Sequence, residues 1–136
     1  MKKIIAGAAI LGVLVAMFLA LRSMTRPDFG ETLTALNNIR SVIPHAQQVN
    51  DFARERSQLD GLLLRNEKRL SGKQRQAWNE YRFYVALFAT DLRLWNEDRE
   101  AAFKGGLLPD PQKRANTGAS AVKTIEALNA LEAALK

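Results

Sequence analysis

Residues 4–21 form an unbroken apolar run of 18, with Lys2 and Lys3 before it and Arg22 and Arg26 after it. At about 1.5 Å per helical residue such a run reaches roughly 27 Å, close to the hydrocarbon thickness of a bilayer. Everything after it is polar, charged and helix-patterned. The simplest expectation is an all-α chain: one N-terminal transmembrane helix carrying a small helical domain. A cleaved secretory signal competes for the same run, because a basic start followed by apolar residues suits both. Its length favours the anchor, since a signal core usually takes about 7–15 residues. So does the lack of a small-x-small cleavage site, because Ala20 follows Phe18 and Ser23 follows Leu21 at that spacing. The basic residues on the two flanks are nearly balanced, and a three-residue N-terminal tail is expected to stay in the cytoplasm. This places residues 28–136 outside it, in the periplasm of a bacterial inner (cytoplasmic) membrane protein. The chain contains no cysteine, which suits an oxidising compartment and leaves no site for an N-terminal lipid.

Within the run, Ala8, Gly12, Ala16 and Ala20 recur every four residues and mark one face of a helix. Small residues at that spacing let membrane helices approach closely, where dispersion contacts drive association that hydrophobicity cannot supply in lipid. Composition alone explains part of the pattern, because seven of the 18 residues are Ala or Gly. A homodimer through this face is one expected assembly.

The formal charge of +6 misleads until it is divided. Lys2, Lys3, Arg22 and Arg26 belong to the anchor, and removing them from the 20 basic residues leaves 16 against 14 acidic ones, a net +2. Nucleic-acid binding therefore loses its main support, and no nucleic-acid partner is expected.

Proline and glycine divide the remainder. The expected organisation is an anchor with its flanks over 1–27, a membrane-proximal amphipathic helix over 28–44, and an extracytoplasmic bundle over 45–136. The proximal helix carries Phe29, Leu33, Leu36, Ile39 and Ile43 on one side and reads as a stalk ended by Pro44. Helix then resumes through Val49, Phe52, Leu59, Leu63 and Leu70. Ser71 with Gln74 has capping-box spacing. Trp78, Tyr81, Val85, Phe88, Leu92 and Trp95 form the clearest apolar seam of the chain. Gly105-Gly106 supplies a stop, and Asp110-Pro111 a fresh N-cap with proline in the first turn. The expectation is an antiparallel three-helix bundle of about 45–70, 73–104 and 111–135 on a helical stalk. In that arrangement the turn near Ser71 is distal, and Gly105–Pro111 returns toward the bilayer with Leu107 and Leu108.

Three features are candidates for binding. Phe83, Leu87 and Leu94 form a second apolar stripe on the long helix; a helix touching two neighbours accounts for it, and so does a face that receives a partner. Arg65, Lys68, Arg69, Lys73 and Arg75 crowd one turn with only Glu67 against them, a solvated helix end or a docking patch for an acidic surface or anionic polymer. Arg56, on an apolar face, is expected opposite residues 87–91 and pairs there with Asp91 to fix register. His45 is the only histidine, so no histidine-based triad or metal constellation is available. Glu97, Asp98 and Glu100 are crowded on one helix end and do not form a separated acid/base pair. No catalytic residue, cofactor or metal is expected. The functional expectation is a non-enzymatic, single-pass accessory or assembly subunit of a bacterial envelope complex, binding a membrane protein partner through its transmembrane helix and its bundle. A secreted helical adaptor or inhibitor is the alternative. A spanin-like envelope-bridging protein is a weaker one, because Pro44, Ser71-Gly72 and Gly105-Gly106 interrupt any long heptad.

Overall fold

The computed structural model describes residues 2–24 and 28–136, with side chains over 9–21 and from 28 onward. The described residues form five α-helices and two 3-10 turns, with no strand: α1 (Lys2–Met24), α2 (Gly30–Val42), α3 (Asn50–Arg65), α4 (Gly72–Gly105) and α5 (Pro111–Leu135). The helical turns are Ile43–His45 and Glu67–Arg69.

The apolar run lies within α1. Among the described residues no helix is long and apolar enough to cross a membrane. Side chains of the run are described from Ala9 to Leu21, and residues 4–8 lie outside them. The expected transmembrane helix is therefore not supported by the described residues.

Local signals in the sequence set most helix ends. Ser71 Oγ accepts from the Gln74 backbone N–H at 3.2 Å and Gln74 Oε1 accepts from Ser71 N–H at 2.9 Å, completing the capping box. Gly106, at φ +66°, closes α4: Leu107 N–H reaches the Ala102 carbonyl and Gly106 N–H the Phe103 carbonyl. This is the left-handed closure that glycine adopts without steric cost. Asp110 caps α5 through Gln112 N–H, with Pro111 in the first turn. Pro44 ends α2 in a 3-10 turn as expected, but regular helix restarts only at Asn50. There Asp51 Oδ2 accepts from the N–H groups of Gln47 and Gln48, holding its carboxyl below the ordinary aspartate value.

The bundle departs from the three-helix expectation in one consequential way. α2 is no stalk: its Thr32, Ala35, Leu36 and Ile39 are buried, and it packs on α3 and α5. The amphipathic face needs cover, and a 13-residue helix with one apolar side gains more from the common core than from standing in water. The core is accordingly shared by four helices, with Leu36, Ile39, Phe52, Leu59, Leu63, Tyr81, Val85, Leu128 and Leu131 fully inside.

An additional antiparallel helix reverses the ends of the molecule. Glu31 and Thr34, early in α2, line the same cavity as Leu62 and Arg65 at the end of α3. At the start of α4, Gln74 Nε2 donates to the Ala134 carbonyl at the end of α5. The turn around Ser71 thus sits where the chain enters the bundle from α1, and Gly105–Pro111 lies at the far end. Their expected positions were the opposite.

α4 and α5 outrun the α2–α3 hairpin. Asn96 Nδ2 donates to the Gln47 carbonyl at the hairpin's tip, and α4 continues to Gly105, about 13 Å farther. The molecule is a four-helix body with a two-helix arm projecting from its far end.

Candidate functional site

At the entry end, Arg65, Lys68, Arg69, Lys73 and Arg75 are all exposed, as the turn signals around Ser71 predict. None of the five forms an ion pair among the described residues. Arg75 donates to the Glu67 carbonyl at 3.1 Å, bracing the turn. The acidic residues at this end are Asp28, whose carboxylate accepts from Gly30 N–H, Glu31, which lines the cavity beside Arg65, and Glu67. Glu132 is engaged by Arg40 and Lys136, which hold its carboxyl below the ordinary glutamate value.

The second apolar stripe faces solvent. Phe83 is 63 % exposed and Leu87 and Leu94 are each 40 % exposed. The neighbour-covering explanation therefore does not account for it. The reason is rotational: Trp78, Tyr81, Val85, Phe88 and Leu92 take the core, and residues 83, 87 and 94 point away from that seam. Phe83 meets only the edge of Tyr84 among aromatic rings, with centroids 5.2 Å apart. Val122 of α5 is exposed as well.

Arg56 and Asp91 do not pair, which corrects the expected register. Helix α3 ends at Arg65 and α4 starts at Gly72, so the hairpin is centred near residue 69 and its partners shift along α4. Trp78 Nε1 donates to Asp60 Oδ1 at 3.2 Å, and the Phe52 and Phe88 rings lie 5.3 Å apart. Arg56 comes level with Tyr81 and acts on it electrostatically. Asp91 faces α5, where its carbonyl accepts from Thr117 Oγ1.

Sequence reasoning missed the polar group that this register creates. Tyr81 is fully buried and its hydroxyl has no hydrogen-bond partner among the described residues. Burial raises its pKa most, Asp60 raises it further, and Arg56 opposes them. Arg82 stacks over Trp78, 5.2 Å from the ring centroid. Within this cluster the Trp78–Asp60 hydrogen bond is the polar tie from α4 to α3. A polar residue beside a buried tyrosine is visible in sequence only once the pairing register is known.

A second unforeseen feature is an open notch of about 710 Å³ between the hairpin tip and the arm, lined by Gln47, Gln48, Asp51, Asn96, Arg99, Glu100 and Phe103. Phe103 is 88 % exposed and Leu108 93 % exposed. Both lie near the arm's tip. The carboxylates Glu97, Asp98 and Glu100 are each occupied by a cation: Arg93 at 3.2 Å, Lys113 at 2.9 Å and Lys104 at 2.7 Å.

Comparison with protein-family models, with curated proteins and with solved structures finds no match to this chain. In α1, Ala16 and Ala20 are exposed, and a Cβ at Gly12 would meet no atom within 4 Å. Ala8, the fourth member of the small-residue face, lies outside the described side chains.

Proposed function

We propose that the chain is a single-pass membrane protein of the bacterial envelope, an accessory or assembly subunit that positions a helical bundle outside the cytoplasm and binds a protein partner. The supporting observation is the contrast between α1 and the bundle. Over residues 9–21 every side chain of α1 is exposed, and Ile10, Leu14 and Phe18 each show more than half of their surface. The bundle meanwhile closes its own core without them. An apolar helix open on all sides is costly in water and requires lipid or another apolar surface around it. The small-residue face of Ala8, Gly12, Ala16 and Ala20 suits packing on a second membrane helix, whether a partner's or a second copy's. The role is binding and positioning, with the bundle's exposed α4 stripe available to the partner.

Alkaline extraction of native membranes, followed by native electrophoresis in mild detergent, tests this reading. The expected result is a chain that resists extraction and migrates in a larger complex. A soluble chain lacking its first 20-odd residues would replace the proposal with the secreted adaptor. Within the membrane, a Cβ added at Gly12 meets no atom within 4 Å, so weaker association of Gly12→Ile in a membrane-helix dimerisation assay reports on the small-residue face. Unchanged association would remove that face from the reading.

A further inference from the structure

We infer that the five-cation turn at the entry end of the bundle docks on the anionic phospholipid headgroups of the bilayer that α1 enters. The inference rests on the membrane reading above and adds what the bundle touches. Met24 and Asp28 are four peptide steps apart and so lie within about 15 Å of each other. Wherever α1 leaves the hydrocarbon, the entry end of the bundle is held close to the interface. That end carries Arg65, Lys68, Arg69, Lys73 and Arg75, all exposed and none in an ion pair among the described residues. Asp28, Glu31 and Glu67 offset them only in part. The far end carries fewer unpaired cations: Lys104 and Lys113 are occupied by carboxylates, and Arg99 and Arg114 are exposed without an ion pair among the described residues. Unpaired positive charge is thus denser, five cations against two, on the side that covalent connection directs toward lipid. Cations near an anionic membrane surface attract its headgroups over about one Debye length, roughly 10 Å at moderate salt. Five such groups set the bundle upright, with the arm pointing away from the membrane and its notch accessible to partners in solution.

The test uses the full chain in vesicles of phosphatidylcholine, with or without phosphatidylglycerol. Because the chain has no cysteine, one introduced cysteine gives one labelled position: Gln76→Cys beside the basic turn, or Leu108→Cys at the arm's tip. A quencher on the lipid headgroups reads proximity. The expected result is quenching at position 76 that requires phosphatidylglycerol, falls with salt, and is absent at position 108. Neutralising Arg65, Lys68, Arg69 and Lys73 to glutamine weakens it, by about fivefold in contact population for each charge removed. These side chains are exposed, and circular dichroism of the variant checks that the helices persist. Equal quenching in both vesicle types, quenching at position 108 instead, or none at 76 while the chain stays vesicle-bound in alkaline buffer would overturn the docking inference and leave the anchor intact. Release of the chain from vesicles would overturn the anchor reading, and the docking inference with it.

Discussion

The four-helix body and the two-helix arm are built from the same long helices and held together by different means. In the body, aromatic and aliphatic side chains from four elements meet in one core, and many of them are fully buried. In the arm, between residues 97 and 116, Ala102 is the one buried residue. What joins its two helices is polar: Lys113 to Asp98, Asp98 to the Asp110 N–H, and, at the arm's base, Thr117 to the Asp91 carbonyl. A two-helix layer cannot enclose side chains on its own, so its large apolar residues remain outside. The lesson is that helix length and core membership are separate properties. α4 is continuous over 34 residues, yet its stability is expected to differ sharply between its halves.

The largest test of this contrast is the same truncation made in each region. Phe52→Ala empties the fully buried site against Phe88 and is expected to cost about 3–5 kcal/mol in global unfolding by denaturant. Phe103→Ala, at a position 88 % exposed, is expected to stay within about 0.5 kcal/mol. A comparable loss at both positions would mean that the arm has a core the contacts do not reveal.

That difference also separates what the chain disclosed from what it withheld. Helix boundaries with their own local chemistry were legible, because Ser71 with Gln74, Gly106 and Asp110 with Pro111 act within a few residues of themselves. The α4 seam was legible from Trp78 to Leu92 because of its helical spacing, while Trp95, expected in it, is only partly buried. The role of α2 was not, since a single amphipathic face looks the same whether a membrane surface, a partner or a sister helix covers it. With α2 moved into the bundle, both ends of the molecule changed places. The Arg56–Asp91 pairing failed for a related reason. Six residues of turn and 3-10 structure between Arg65 and Gly72 displaced the hairpin's centre, and that shift puts different side chains in opposition.

A smaller effect, opposite in sign, is expected at Tyr81. Its ring fills the core, but its hydroxyl is buried without a partner among the described residues. Tyr81→Phe keeps the ring and removes the unsatisfied group, so the body should gain about 1 kcal/mol. Denaturant midpoints with an unchanged slope would measure this. A loss instead would show that the hydroxyl is satisfied in solution, and that the cluster with Asp60 and Arg56 contributes more than packing.

The smallest expected effect is confined to the arm and appears only in acid. The Lys113 ammonium and, after it, the Asp110 N–H hold the Asp98 carboxyl below its ordinary value. A carboxylate whose pKa is lower folded than unfolded contributes stability above the unfolded value and loses it as pH falls through the folded one. The arm should therefore loosen below about pH 4, the ordinary aspartate range, before the body's core responds. Hydrogen exchange normalised to intrinsic rates should show protection falling across residues 98–113 while α3 and the seam of α4 keep theirs. Asp98→Asn should give the loosened arm at neutral pH and reduce its pH dependence, the remainder belonging to Glu100, whose carboxyl Lys104 also holds below its ordinary value, and should leave the body unchanged. If body and arm lose protection together, they unfold as one unit, and the polar joints at Asp98 are surface decoration on a single cooperative core.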